Sequence, residues 1–223
     1  MGVLGILGVK PRPTPQLMDT RIAGISAEAK IANQVYCGVE ADDPIGTLFV
    51  LVDLKIRNDR KDPVIIARQP PDPAGYRVAR SLEDAQNGVF AYGLGGFEIY
   101  SDADLLTMPK LVLSPSPSSE QFARLQPGES HQASITIGIL VNKRGDHLLE
   151  GAVPAGSSYL LKFDVLLWPF RSSSELEILE ARKRWQDYGD LVVGSTPADL
   201  ILFGAPDFQT LNRCLQPPWR VVK

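Results

Sequence analysis

The feature that most constrains the fold is the stretch over residues 46–58, in which every second side chain is apolar. Because successive side chains of a strand point to opposite faces of a sheet, this alternation predicts a long strand with one buried face. The other face begins with Phe49 and Leu51, so we expect another part of the molecule to cover that end. The two faces divide as Leu48, Val50, Val52, Leu54 and Ile56 against Thr47, Asp53, Lys55 and Arg57.

Two later stretches alternate in the same way. They are residues 133–141, with one face formed by Ala133, Ile135, Ile137, Ile139 and Val141, and residues 159–167, with one face formed by Tyr159, Leu161, Phe163, Val165 and Leu167. Apolar faces of this length are buried efficiently when two sheets pack face to face. The three stretches therefore predict a β-sandwich in which Val52, Ile137 and Phe163 share one interior.

The remaining strand candidates are short, and turns separate them. The 18 prolines and 19 glycines of the chain interrupt helices and are typical of turn-rich β proteins. The turn after Asn58 leads to residues 64–67, and we expect the strands on either side of it to form a hairpin. Further short strands are predicted at residues 76–79, 89–92, 97–100, 110–113, 191–193 and 200–203.

One helix is predicted, in the last quarter of the chain. Ser174 and Glu177 have the spacing of a capping box, and Gly189 is expected to end the helix. The apolar side is formed by Ile178, Ala181, Trp185 and Tyr188. The densest basic run, residues 182–184, lies beside three glutamates, which is typical of a solvated helix face. With a net charge of -3, the chain is therefore predicted to have no nucleic-acid partner.

The two ends of the chain differ from its middle. Residues 1–9 are apolar and uncharged, and a proline-rich connector follows at residues 10–16. Nine residues are too few to span a bilayer, so this stretch is the remnant of an anchor whose upstream part is missing, an edge strand or a disordered arm. We expect three parts: an arm over residues 1–16, a sandwich domain over residues 17–169, and a C-terminal extension over residues 170–223 that packs on the sandwich.

Several of these signals together resemble a known kind of domain. The residues concerned are a long strand ending at Asn58, the turn to Pro63 and Val64, the run Leu125, Pro127, Gly128, Glu129 and Ser130, and the strand with Tyr159, Leu161 and Phe163. Over residues 46–168 the chain resembles the immunoglobulin-like domains of unknown function found in bacterial secreted lipoproteins and membrane-anchored proteins. The resemblance implies a mainly β, antiparallel immunoglobulin-like sandwich with an extracytoplasmic location, here carrying a C-terminal helix and short additional strands. Residues 70–110 and the part after Pro169 go beyond that pattern.

The residue types that carry catalysis and metal binding are sparse. His131 and His147 stand beside turns and have no partner at metal-ligand spacing. No strained serine elbow occurs, and the glycines at residues 93–96 are expected to form a hairpin turn instead of a phosphate loop. The loop aspartates are attributed to turns in preference to calcium sites, and they are Asp42, Asp43, Asp59, Asp62, Asp102 and Asp104. We therefore predict no catalytic residue, no metal and no cofactor. Cys37 and Cys214 form either one disulfide or two free thiols.

Large aromatic side chains gather in the last third of the chain, at Trp168, Phe170, Trp185, Tyr188 and Trp219. Exposed together they would form a surface for protein or carbohydrate, and buried they would clamp the helix and tail onto the sandwich. We predict a noncatalytic binding or scaffolding module whose partner is a protein, with a membrane tether and homo-oligomerisation as further hypotheses. The alternatives are a structural subunit of a larger assembly and an unrecognised hydrolase that uses loop Asp and His residues.

Overall fold

The computed structural model describes residues 21–38, 45–70, 73, 76–94, 114–142, 152–168 and 175–204. This part of the chain is mainly β, as predicted, with thirteen strands in four sheets and two helices. The strands are β1 Ile25–Gly38, β2 Ile45–Asn58, β3 Val64–Ala67, β4 Tyr76–Ala79, β5 Tyr92–Leu94, β6 Phe122–Leu125, β7 Ser130–Asn142, β8 Val153–Pro154, β9 Ser158–Lys162, β10 Asp164–Leu166, β11 Asp190–Leu191, β12 Ser195–Pro197 and β13 Ile201–Gly204. The helices are α1 Leu82–Gln86 and α2 Glu175–Trp185.

The long sheet has the order β1-β2-β7-β8, with β2 antiparallel to both of its neighbours. The two longest predicted strands therefore lie side by side, and Val50 stands directly opposite Ile137. The inner side chains of both strands are buried, as their alternation predicted, except Ala133, which is half-buried. On the outer face, Phe49 and Leu51 are half-buried, and the Phe49 ring lies against Gly138 of β7.

The first strand of the long sheet was not predicted from the sequence. Its register against β2 shifts once, because Ile31 faces Val52 whereas Asn33 faces Leu51. Ala32 is therefore an extra residue in a β-bulge, which interrupts the alternation of side chains along the strand. Alanines occupy other inward positions, such as Ala27, and alanine favours helix over strand.

The second sheet has the order β13-β9-β4-β5. The prediction of one continuous strand over residues 159–167 is wrong, because the strand changes sheets at Phe163. Residues before Phe163 form β9 in the second sheet, whereas β10 pairs with β12 in a separate two-stranded sheet. The alternation continues through the break because the inward side chains on both sides of it bury in the same core.

The predicted hairpin between the long strand and Val64–Ala67 is also wrong. Strand β3 pairs antiparallel with β6 and parallel with β11, in a third sheet of order β11-β3-β6. The chain leaves the long sheet at Asn58, whose backbone bonds to the turn that ends β6: Asn58 N–H donates to the Glu129 carbonyl at 3.0 Å, and Gly128 N–H donates to the Asn58 carbonyl at 2.8 Å. All four residues of β3 are buried, so the strand needs cover on both faces.

The other local predictions fall close to observed elements. The tight turn at Pro127 and Gly128 is present, with Gly128 at φ +79° and Glu129 N–H donating to the Gln126 carbonyl at 3.0 Å. Residues 76–79 form β4 as predicted, and the candidates at 89–92, 191–193 and 200–203 are shifted to β5, β11 and β13. The candidates at 97–100 and 110–113 lie outside the described residues, as does the arm over residues 1–16.

Two hydrophobic clusters hold the fold together. The larger cluster lies between the long sheet and the second sheet, and Val52, Ile137 and Phe163 all belong to it, as predicted. The smaller cluster lies beneath α2 and contains Ile65, Phe122, Trp168, Ile178, Ala181, Trp185, Leu191 and Val193. Each large side chain that is fully buried in such a cluster contributes about 1.5 to 3 kcal/mol.

Candidate functional site

The aromatic residues singled out by the sequence do not gather on one surface of the described fold. Trp168 and Trp185 are 1% and 0% exposed, and their ring centroids lie 5.8 and 5.1 Å from that of Phe122. The Trp185 indole also donates to the Ser114 carbonyl at 3.0 Å. These two tryptophans therefore hold α2 on the fold. Tyr188 is 39% exposed, while Phe170 and Trp219 lie outside the described residues.

Two of the candidate acid, base and metal-binding groups, His131 and Asp59, bond to other parts of the fold. His131 Nε2 is 2.7 Å from the Arg68 carbonyl oxygen, and Asp59 pairs with Arg57 and accepts from the Ser26 hydroxyl at 2.6 Å. Among the described residues, no group of three or more His, Cys, Asp and Glu is placed to hold a metal ion. The structure does not describe His147, Asp42, Asp43, Asp102, Asp104, Gly95, Gly96, Cys214 or the side chain of Cys37. The state of the two cysteines stays a prediction.

An open groove of about 400 Å³ lies between the start of β1 and β12. Two isolated bridges flank the groove. One pairs Arg21 with Ser195, and the other pairs Ala27 with Ala198. Two of the polar side chains that line the groove, Glu28 and Thr196, have partners. Glu28 pairs with Lys55 at 3.2 Å, and the Thr196 hydroxyl donates to the Ile25 carbonyl at 2.8 Å. These groups serve to attach β1 to the body of the fold, and they do not converge on a point where a substrate could react.

The outer face of the second sheet carries a different combination of side chains, which we call the cationic surface: Arg77, Phe90, Leu160, Lys162 and Leu202. Arg77 on β4 stands directly opposite Lys162 on β9. The Phe90 ring serves both cations, with its centroid 5.8 Å from Arg77 Cζ and 5.4 Å from Lys162 Nζ. Within the described part of the chain, neither cation has a carboxylate at ion-pair distance.

This arrangement leaves positive charge concentrated on one patch. Two like charges directly opposite one another across a strand pair repel, and the ring face of Phe90 attracts both of them. The patch continues into an apolar part, because Leu202 is 66% exposed and lies opposite the half-buried Leu160. The arrangement can therefore accept an anionic group beside an apolar side chain.

Tyr76 and Arg80, both near the second sheet, have shifted pKa values. Burial raises the pKa of Tyr76 to about 12, although a hydrogen bond from the Leu140 N–H opposes the shift. Arg80 donates to the Tyr92 hydroxyl oxygen at 2.9 Å, and this bond raises the pKa of the Arg80 guanidinium. Both shifts keep the side chain in its usual protonation state at neutral pH, so neither prepares a group for proton transfer.

In comparisons with known proteins, the chain matches no family model, no curated protein and no solved structure. Neither of the described helices combines the length and apolar character needed to cross a bilayer.

Proposed function

We propose that this chain is a noncatalytic binding module and that its cationic surface docks a protein partner through an acidic segment. The observation that carries the proposal is the pairing of Arg77 with Lys162 across neighbouring strands, with one aromatic ring between them. A carboxylate of the partner would relieve the repulsion between the two cations. Arginine and aromatic side chains are also enriched at protein interfaces, where they supply much of the binding energy.

The apolar part of the same surface supports a protein partner. Leu202 and Leu160 lie next to the charges, so a partner that presents an apolar side chain beside an acidic one would bury both kinds of group together. Apolar burial supplies affinity, and charge complementarity supplies orientation and a fast association rate. Raised salt should therefore weaken the complex mainly by slowing association.

The experiment compares two charge-and-leucine double variants of the full chain. Arg77→Glu with Leu202→Asp changes the cationic surface, whereas Leu176→Asp with Lys183→Glu makes corresponding exchanges, of a leucine and of a basic residue, on the exposed side of α2. Proteins from the source cell are cross-linked to each form, identified by mass spectrometry and mapped to the contact residues. We expect the same partner to be lost with the first variant and kept with the second. Equal retention by both variants would contradict the proposal.

We further propose that the sheets form an immunoglobulin-like sandwich. In its support, two four-stranded sheets share one core, and the pairs of β2 with β1 and β7 and of β9 with β4 and β13 are all antiparallel. The pairing of β8 with β7 and of β11 with β3 is parallel and goes beyond a plain sandwich. An experimental structure that traces the connections between the two main sheets tests this assignment.

An extracytoplasmic location and a membrane tether are also proposed, on the sequence resemblance. Protease treatment of cells with a permeabilised outer envelope, followed by fractionation of soluble and membrane proteins, tests both. Protection of the chain in these cells together with digestion after lysis would count against an extracytoplasmic location, and recovery in the soluble fraction alone would count against the tether.

A further inference from the structure

We infer that the free edge of β1 is a pairing site for a second copy of this chain. Among the described strands, β1 is the outermost in the long sheet and pairs along its length with β2 alone. Its other edge is covered at the beginning, where Asp199 N–H donates to the Ala27 carbonyl at 3.2 Å. From residue 29 to residue 38 no described strand lies along that edge. An unpaired strand edge of this length presents a row of backbone donors and acceptors that another strand can pair with.

At the opposite edge of the same sheet, side chains bond to backbone groups that no described strand reaches. Beyond the short pairing with β8, side chains from neighbouring elements bond to the backbone of β7. The Gln69 side chain donates to the Ser134 carbonyl, and the Leu140 N–H donates to the Tyr76 hydroxyl oxygen at 3.0 Å. The His131 ring, on the same strand, bonds to the Arg68 carbonyl. Among the described residues, side chains therefore cover part of one edge of the longest sheet, whereas no described strand lies beside the β1 edge from residue 29 onward.

The open edge has few of the features that usually prevent pairing between molecules. Edge strands are commonly protected by charged side chains, by proline or by a bulge. Residues 31–38 contain no charge and no proline, and the bulge at Ala32 is the remaining protective feature. One backbone group is satisfied locally, since Gln34 N–H donates to the Asn33 side chain at 2.8 Å. Such a local bond is easily exchanged for a bond to a neighbouring strand.

The occupant that fits this edge is the same edge of a second copy. Two identical strands pair antiparallel about a two-fold axis, so one surface serves both molecules. An axis near Asn33 and Gln34 would place Lys30 of each copy opposite the uncharged residues 36–38 of the other. Within residues 29–38 no like charges then face one another, and the two long sheets join into one continuous sheet. This edge is remote in sequence and in sheet from the cationic surface, so the inference stands or fails independently of the binding role proposed above.

Sedimentation velocity of the full chain over a range of concentrations tests the pairing. We expect a monomer–dimer equilibrium in the unmodified chain. Gln34→Pro removes an edge N–H, and Asn33→Lys brings two lysines together at the axis, so each should raise the dimer dissociation constant about tenfold or more. Gln132→Lys adds the same charge on the exposed part of β7 and should leave the equilibrium unchanged. Circular dichroism and thermal unfolding verify that each variant is folded.

Disulfide trapping supplies a readout that does not depend on weakening the dimer. In a chain with Cys37→Ser and Cys214→Ser, a single Gln34→Cys is expected to form a linked dimer under mild added oxidant. A single Gln132→Cys serves as the matched control and is expected to stay monomeric. A monomer at every concentration of the unmodified chain, or linked dimers of equal yield from both cysteine positions, would overturn the inference.

Discussion

The hydroxyl oxygen of Tyr76 accepts a hydrogen bond from the backbone N–H of Leu140 at 3.0 Å, which ties β4 of the second sheet to the edge of β7 in the long sheet. Tyr76 is buried and belongs to the core cluster that the two sheets share. The bond thus satisfies a backbone donor on a strand edge that β8 does not reach. A polar contact therefore joins the two main sheets in addition to their apolar packing.

Replacing Tyr76 with phenylalanine tests this tie. The change leaves the Leu140 N–H without its partner, while the ring keeps its apolar contacts. We expect Tyr76→Phe to lower the free energy of unfolding by about 1 kcal/mol, which is typical for the loss of a partly buried hydrogen bond. Denaturant unfolding measures the change. Tyr188→Phe, which alters an exposed tyrosine, should change the free energy by less than about 0.5 kcal/mol.

The same residue predicts how stability depends on pH in alkaline solution. Burial raises the pKa of Tyr76 from 10.0 to about 12 in the folded state, so the folded state holds this proton more tightly than the unfolded state. The stabilisation is therefore complete below pH 10 and is lost as the pH rises through about 12. Unfolding free energies measured across this range should fall more steeply for the unmodified chain than for Tyr76→Phe. Parallel curves would contradict the assignment.

Asn58 is predicted to be the most sensitive polar residue of the core. Its amide donates to the carbonyls of Asp62 and Leu125 at 3.0 and 3.1 Å, its side-chain oxygen accepts from Arg60 N–H at 3.0 Å, and it is 0% exposed. Asn58→Ala should lower the free energy of unfolding by about 2 kcal/mol or more, because several backbone groups lose their partner. Asn87→Ala, at an exposed helix end, is the control and should have little effect. Equal melting temperatures for the two variants would refute this role.

Alanine substitutions at two glycines distinguish the cost of backbone strain from the cost of a steric clash. Gly189 has a φ of +143°, and a Cβ there would lie 2.8 Å from the Pro63 carbonyl oxygen. Gly88 also has a positive φ, +74°, but no atom lies within 4 Å of a Cβ there. Gly88→Ala should therefore cost about 1 to 2 kcal/mol, whereas Gly189→Ala should cost clearly more. Thermal unfolding of the two variants gives the comparison, and the reverse order would show that the approach of Gly189 to Pro63 is not needed.

We expect Trp185 to be the main residue that holds α2 against the rest of the fold. Its side chain is fully buried against Phe122 and donates to the Ser114 carbonyl. Trp185→Ala should cost about 3 to 5 kcal/mol, because it leaves a large cavity and an unpaired carbonyl. Hydrogen exchange of α2 amides should become faster than exchange in the long sheet. Leu176→Ala, on the exposed side of the same helix, should leave both measurements nearly unchanged.

The local spacing of apolar residues was sufficient to predict β2, β7 and α2, because each of these elements keeps one periodicity along its length. It was insufficient for β1, where the bulge at Ala32 breaks the alternation, although the spacing of Ile25, Ala27, Ala29 and Ile31 before the bulge carries the signal. Tyr159 to Leu167 shows the opposite case, since a pattern that looks continuous crosses from one sheet to another at Phe163.

The candidate surfaces were harder to predict for a related reason. Trp168 and Trp185 attract attention in the sequence, yet aromatic side chains serve cores as readily as interfaces, and here they pack with Phe122. Arg77 and Lys162 look like ordinary polar positions of two strands. They become a candidate site only when the register of β4 against β9 places them opposite each other. The sequence of one strand does not determine that register.

The sequence by itself determined most of the inward side chains of β2 and β7, since the free energy of burial depends on residue type and on the period at which apolar residues recur. It therefore determined that the chain builds a mainly β fold around one principal interior. Only the tertiary structure decided which strands are neighbours, which strand edges are left open and which charges meet on a surface. Those outcomes depend on contacts between residues far apart in the chain, where loop lengths, bulges and buried hydrogen bonds such as those of Asn58 select one pairing among several of similar hydrophobic content.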